Sequence, residues 1–442
     1  MKTKNLLFSI LILLVSLTIN AQTWYEVGNG GFSNGEAGQQ RIAYDGNTMY
    51  VAYTDFTNDF KVTVKKYNGT NWETVGQEGF TGQADQMDFV IENGQFFLIY
   101  SWINNIYAMT LSGGNWITIG ASPFANGSYA SLSVFAGVPY VVFEDNNAGY
   151  KTSVKKFDGA NWVNVGNYGF SPSSNIYITD IEVTSSGIYI CYGDEDLDTK
   201  LTVMKFDNNT WTVIGTEGFS EYYHQGYNTL AIHNGSPYVV TWKPDTHGAV
   251  YRFDGSNWVQ VGADITTGEG RDFYLTNSPQ GDLYVAFCDL GLNNKAELKK
   301  LNNSVWESVG GEISKGNADY LSVAFDNNGV PFVAYKDWWY QRKTTVMTYG
   351  QVVNGVNNIE NISAVEVYPN PATNMINIQN NHNTAIQKVV VFNQVGQEVY
   401  VSTESISSGA VLEIDISNFG TGIFFIQTQS DTETLISKFV KR

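Results

Sequence analysis

The sequence predicts an all-β chain: a seven-bladed β-propeller followed by a small, immunoglobulin-like β-sandwich. Three observations carry this expectation. The motif Trp-x-x-(Val/Ile)-Gly occurs seven times, beginning at Trp24, Trp72, Trp116, Trp162, Trp211, Trp258 and Trp306. Its spacings are 48, 44, 46, 49, 47 and 48 residues, the period of blades built from four short strands. Composition agrees, because 27 Tyr, 25 Phe and 11 Trp favour strands while 43 Gly and only 9 Pro supply turns without blocking pairing.

The chain opens on the basic stretch "MKTKN", a fourteen-residue apolar run "LLFSILILLVSLTI" and the small-residue site "NAQ". This order predicts a signal peptide over 1–21, cleaved after Ala21. The run is short for a membrane span. No other run of spanning length follows, so no transmembrane segment is expected in the mature chain. The formal net charge of −18 repels phosphate backbones and anionic lipid, which argues against nucleic acid as a partner. It is compatible with Ca²⁺ or with a neutral polymer. The two cysteines, Cys191 and Cys288, fall at different positions of their repeats and are expected as free buried thiols.

Residues 22–350 carry the repeat. Each unit contains the Trp run, a loop of roughly ten residues, a second run such as "RIAYD" or "LSVAF", and a polar turn such as "DGN" or "HNGS". The third run is the most apolar ("MYVAYTD", "PYVVFED", "LYVAFCD"), and the fourth alternates ("KVTVKKY", "KTSVKKF"). An Asn-Gly, Asp-Gly or Asn-Asn turn then precedes the next Trp, where positive φ is needed. The first Trp run has no strand before it, and the last unit ends at "TTVMTYG" with no Trp run after it. Trp24's strand is therefore expected to pair beside 344–349 and close the ring without a free edge. The periodic Trp side chains read as packing between blades. "DG-x-N-W" resembles the Asp-box turn of sialidase propellers, but the Ser/Thr-x-Asp spacing is missing and the likeness reduces to turn geometry.

After Gly350 the period stops. "QVVNGVNNIENISA", 351–364, reads as a linker. Residues 365–442 return to alternating strands with Gly turns, as in "VEVYPNPATNMINIQ" and "KVVVFNQVGQEVY". This stretch resembles the type A C-terminal sorting domain of the type IX secretion system of Bacteroidetes. The matching residues are Tyr368-Pro369-Asn370-Pro371, the turn at Val395-Gly396-Gln397, Ile416-Ser417 leading to Gly420 and Gly422, and the basic end at Lys438, Lys441 and Arg442. The run "QSDTETLISK" lacks the Gly often seen in that family's last hairpin. The resemblance implies export through the type IX machinery and, after removal of the tail, a cargo that is secreted or attached to the outer cell surface.

Function is sought where the repeats disagree. At the end of the third run the column reads Asp55, Trp102, Asp145, Asp194, Lys243, Asp289, Asp337. Its Asp residues either start turns by accepting backbone N–H bonds or form a ring of carboxylates for cations or sugar hydroxyls. Asp194, Asp196 and Asp198 alternate as in a Ca²⁺ loop but lack its Gly and closing Glu. Four Trp break the period at this corner: Trp102, Trp242, Trp338 and Trp339. They are expected at an exposed rim, stacking on sugar rings, with Asp145 and Asp337 for hydroxyls and Tyr222, Tyr223, His224 and Tyr227 in a loop on the same face. The other reading of these Trp is rim packing.

Enzyme signals are sparse. His224, His233, His247 and His382 show no metal-ligand spacing. Arg41, Arg252, Arg271 and Arg342 come without the other motifs of a sialidase. The expected function is non-catalytic binding of an extracellular glycan or a surface protein. A propeller hydrolase acting on polysaccharide and a protein adhesin are the alternatives.

Overall fold

The computed structural model describes residues 22–221, 230–351, 365–381, 384–393, 397–430 and 434–442. The expected signal peptide, most of the linker, Tyr222, Tyr223, His224, Tyr227, His382 and Gly396 lie outside them. The described residues are β-strands and loops with three one-turn 3-10 segments. The chain divides into two compact units, Met1–Val352 and Val353–Arg442.

The first unit is a succession of four-stranded antiparallel meanders. In the first, Ala37–Asp45, Thr48–Asp55, Lys61–Tyr67 and Trp72–Thr74 pair in chain order. Five more repeat this order. In the seventh, Ala318–Phe325, Pro331–Asp337 and Lys343–Gln351 take Gln22–Glu26 as the fourth strand, with Trp24 opposite Tyr349. The chain start thus completes the last meander, as the offset of the Trp runs predicted. Pairing of Ala125 and Asn126 with Ile106 and Asn105 also joins the second and third meanders into one sheet.

The innermost strands are Ala37–Asp45, Gln86–Glu92, Ala125–Phe135, Ile176–Thr184, Leu230–His233, Gly270–Asn277 and Ala318–Phe325. Each touches the next, and the last touches the first. Polar side chains knit this inner ring: Leu132 N donates to Asp88 Oδ2 (3.0 Å), Leu230 N to Asp180 Oδ2 (2.8 Å), and Ile42 N to Ser322 Oγ (3.1 Å). Arg41 Nε, also buried, lies 3.0 Å from Asp88 Oδ1. Burial, with the charge of Asp88 close by, pushes the Asp180 carboxyl up to about 7. Five inner strands carry a register shift. There Gln39, Tyr129, Asp272 and Tyr320 take left-handed φ near +50°, which re-aims side chains at one mouth of the ring.

The Trp-x-x-(Val/Ile)-Gly motif is a latch between neighbouring meanders. Trp72, Trp116, Trp162, Trp211, Trp258 and Trp306 donate Nε1–H to the motif carbonyls of the preceding unit: Val27, Val75, Ile119, Val165, Ile214 and Val261. Trp24 bonds Val309 O at 2.7 Å and closes the series. The following Gly lies against the incoming indole. At Gly166, φ is +73° and a Cβ would come within 2.7 Å of Phe206 and 3.3 Å of Trp211 Nε1. On the other side, Phe32, Phe80, Phe124, Phe170 and Phe219 stack on the indoles at 4.1–4.4 Å between centroids. Ile265 and Ile313 pack with Trp306 and Trp24 instead. Each latch adds a hydrogen bond worth about 1 kcal/mol net to the burial of a large ring. Three of the turns before a Trp are held by a side chain: Asp158 Oδ1 accepts from Ala160 N and Asn161 N, and Asp254 and Asn68 do the same. Cys191 and Cys288 are buried and are not joined in a disulfide.

In the second unit, Val365–Tyr368, Met375–Asn380 and Val411–Asp415 form one sheet. Glu398–Ser402, Ile386–Asn393, Gly422–Ser430 and Thr434–Lys441 form another. Ile376, Ile378, Leu412 and Ile414 from one and Val389, Val391, Ile426 and Phe439 from the other share a core. Asn370 ties the Pro-Asn-Pro turn to the last strand, with Nδ2 donating to Lys438 O (3.2 Å) and Oδ1 accepting from Val440 N (3.0 Å).

Candidate functional site

The hairpins after the second strand of each meander all open on one face. In the seventh meander this hairpin is 338–342. It begins at Asp337, which is 1% exposed and accepts Trp339 N at 2.9 Å. Arg342 N closes the turn on Asp337 O (2.8 Å), with Gln341 and Arg342 left-handed. Trp338 Nε1 donates to Asp319 Oδ2 (2.5 Å), on the innermost strand. The guanidinium of Arg342 lies 4.7 Å over the Trp338 ring, a cation–π contact, and pairs with Glu36 at 3.2 Å. Lys336 shares Glu36 at 2.9 Å and sits 4.9 Å over Phe56. The Lys336 hydrogen bond, with the Arg342 charge, holds the Glu36 carboxyl below its ordinary range. On the other flank, Tyr340 OH donates to Glu26, which also pairs with Lys315 at 2.6 Å. Gly30 and Gly31 lie under the Tyr340 side chain, where a Cβ would come within 2.4 Å of its Cε2 and 2.7 Å of its Cβ, respectively.

The hairpin is therefore pinned on both sides, and it presents two indoles. Trp338 is 46% and Trp339 63% exposed. Asp319 stands at the Nε1 edge of Trp338 and Arg342 covers one of its faces, so the exposed part of Trp338 together with Trp339 offers apolar ring surface with hydrogen-bonding groups adjoining it. This suits a sugar ring, whose C–H face is apolar and whose rim carries hydroxyls.

Other expected site residues fall differently. Trp102 is half-buried at its corner. Trp242 is a correction: it is 3% exposed, belongs to the core, and donates Nε1–H to Gly270 O. Trp242 pairs across from Gly248, and the space beside Gly248 and Gly270 is filled by Phe273. Asp145 and Asp337 are corrections as ligand groups, because both are buried turn formers; Asp145 accepts from Asn147 N (3.0 Å) and Ser153 Oγ (2.8 Å). Asp194 likewise is fully buried and caps Asp196 N (3.1 Å), while Asp196 and Asp198 point to solvent. The three form no converging carboxylate set among the described residues.

The one converging set there is Asp245, His247 and Asp264. Lys243 Nζ already lies 3.0 Å from Asp264 Oδ2, so that spot holds a cation of the chain's own. Sequence reasoning missed Asp319, Arg342 and Glu36, whose partnership needs the ring closed. It also missed Phe60, Ile103, Tyr150 and Leu290, which stand 40–66% exposed on the same hairpin of four other meanders. Their signal was position in the repeat, not residue type.

Among solved structures, the chain is similar to an ulvan lyase of a polysaccharide lyase family bound to -[GlcA(1-4)Rha3S]-, with 13% identity, 75% of this chain and 98% of that one covered, and a TM-score of 0.49. It is also similar to the AofleA protein of Arthrobotrys oligospora (14% identity, 65% and 90% covered, TM-score 0.44). A third is the fucose-specific lectin from Aleuria aurantia (15% identity, 62% and 96% covered, TM-score 0.40). No curated protein sequence matches the chain. No described helix is long and apolar enough to cross a membrane. Residues 366–442 match the family model of the secretion system C-terminal sorting domain. The Pro369-Asn370-Pro371 turn, Gly420, Gly422, Lys438 and Lys441 all lie within that match. The C-terminal unit is a type IX secretion sorting domain, and the chain that bears it is exported, to be secreted or attached to the outer cell surface.

Proposed function

We propose that the first unit is a seven-bladed β-propeller that binds extracellular polysaccharide without catalysis, with Trp338 and Trp339 as its main contact. The sorting domain is its immunoglobulin-like export tail, joined by the linker at 351–364. One observation carries the reading: two adjacent indoles, 46% and 63% exposed, on a hairpin pinned by Asp319 and Glu26. Phe60, Ile103, Tyr150 and Leu290 on the same face are secondary contacts. Stacking on one aromatic is worth about 1–3 kcal/mol in nucleic-acid complexes, and a sugar contact of that size is weak alone. Several contacts on one polymer raise avidity without new chemistry. A glycan array probed with residues 22–351 tests the reading. Binding to a defined set of oligosaccharides is expected, and binding to none of them contradicts it.

A second reading, hydrolysis of the bound polysaccharide, has one observation in its favour. Burial, with the charge of Asp319 nearby, pushes Asp272 up to about 6. A raised carboxyl near a second carboxyl is a pairing that glycoside hydrolysis uses. Release of reducing ends from the bound polymer, abolished by Asp272→Asn, would establish it.

A further inference from the structure

We propose that the outward face of the four-stranded sheet in the sorting domain is the surface by which the export machinery grips the chain. The two sheets of this domain differ in charge and in the number of apolar side chains on their outer sides. The three-stranded sheet turns Glu366, Asn377, Gln379, Glu413 and Asp415 outward, with Tyr368 and Val411 the exposed apolar side chains among them. The four-stranded sheet turns out Val399, Val401, Ile423, Phe425 and Val440, each 36–47% exposed. Register places them side by side: Val401 is opposite Val390, Phe425 opposite Phe392, and Ile423 opposite Val440. A contiguous apolar sheet face left to solvent marks a docking site.

Charge tells what docks. All four Lys and Arg of residues 365–442 (Lys388, Lys438, Lys441 and Arg442) lie on this sheet or at its end. Lys438 pairs across from Phe425. The partner is therefore apolar with a carboxylate rim. A second copy of the same face would set cations against cations, which is disfavoured. The Pro-Asn-Pro turn has a role here as well. Through Asn370 it clamps the strand that carries Lys438 and Val440, so the turn builds the edge of the face. The inference is independent of what the first unit binds.

The test uses the full chain in its native host. Val401→Thr, Ile423→Thr and Phe425→Thr together keep strand-forming residues while removing the apolar face. Asn377→Thr, Gln379→Thr and Glu413→Thr on the other sheet serve as the control. The first variant is expected to lose at least tenfold in exported protein and to accumulate inside the outer membrane; the control is expected to export normally. Unchanged export of the first variant overturns the proposal, as does equal loss in both. Loss of a dimer in size-exclusion chromatography with export intact assigns the face to a second copy and also overturns it. Where the triple variant melts the tail, Lys438→Glu decides: reduced export supports the proposal, and wild-type export overturns it.

Discussion

Two tryptophans one corner apart illustrate how little a residue's type determines its role. Trp242 and Trp338 close the same repeated strand or follow it directly, yet one is 3% and the other 46% exposed. Truncation should separate them. Trp242→Ala is expected to cost about 3–5 kcal/mol, as for a large core ring. Trp338→Ala and Trp339→Ala should each cost under about 1 kcal/mol, in the range of surface changes. Urea unfolding of the three variants checks this. The Asp column behaves likewise. Asp145→Ala should cost about 1–3 kcal/mol by orphaning Asn147 N and Ser153 Oγ, and should leave ligand binding unchanged.

At the scale of the element, the latch makes the sharpest demand on sequence. Gly166 and Gly149 both have φ near +70°, but only Gly166 faces a neighbour, while the space around Gly149 is open. Gly149→Ala should cost about 1 kcal/mol for the backbone alone. Gly166→Ala should cost roughly 2–4 kcal/mol, because overpacking against Phe206 and Trp211 adds to the backbone term. Thermal unfolding of the pair separates the two contributions. This latch was legible in the sequence, since seven copies of Trp and Gly at a fixed offset leave little else to explain them. The closure of Trp24's strand on 343–351 was legible from the offset of the first Trp run. The partners of Trp338 were not. Asp319 lies on the inner strand of its own meander, and Arg342 over the ring is held by Glu36 from the loop before the first meander, a pairing that only closure of the ring provides. The inward turn of Trp242 rests on a bond to the Gly270 carbonyl of the next meander, a backbone partner that residue type does not signal.

For the whole molecule, the inner ring sets a pH dependence. The folded pKa of Asp180, about 7, lies above the ordinary value of 3.8, so the folded state holds a proton that the unfolded state releases. Its stabilising effect is complete below about pH 4 and is lost as pH rises through 7. Asp272, raised to about 6, and Glu182, raised to about 8, act in the same direction. Urea midpoints should therefore fall between pH 5 and pH 8, and Asp180→Asn should flatten that slope without abolishing it. A steeper slope in the variant would contradict this account of the ring. The two units should also unfold independently. A chain ending at residue 351 is expected to keep the thermal transition of the first unit, which has its own core and completes its last meander with Gln22–Glu26.

The most direct test is retardation of the first unit in gels containing the polysaccharide selected by the array, compared with the double variant Trp338→Ala/Trp339→Ala. Losing one to two stacking contacts of about 1–2 kcal/mol each corresponds to a drop in affinity of roughly 5- to 1,000-fold. The predicted result is retardation of the wild type, its near-complete loss in the double variant, and equal melting temperatures for both. Retardation that survives the double substitution would contradict a binding site at this corner.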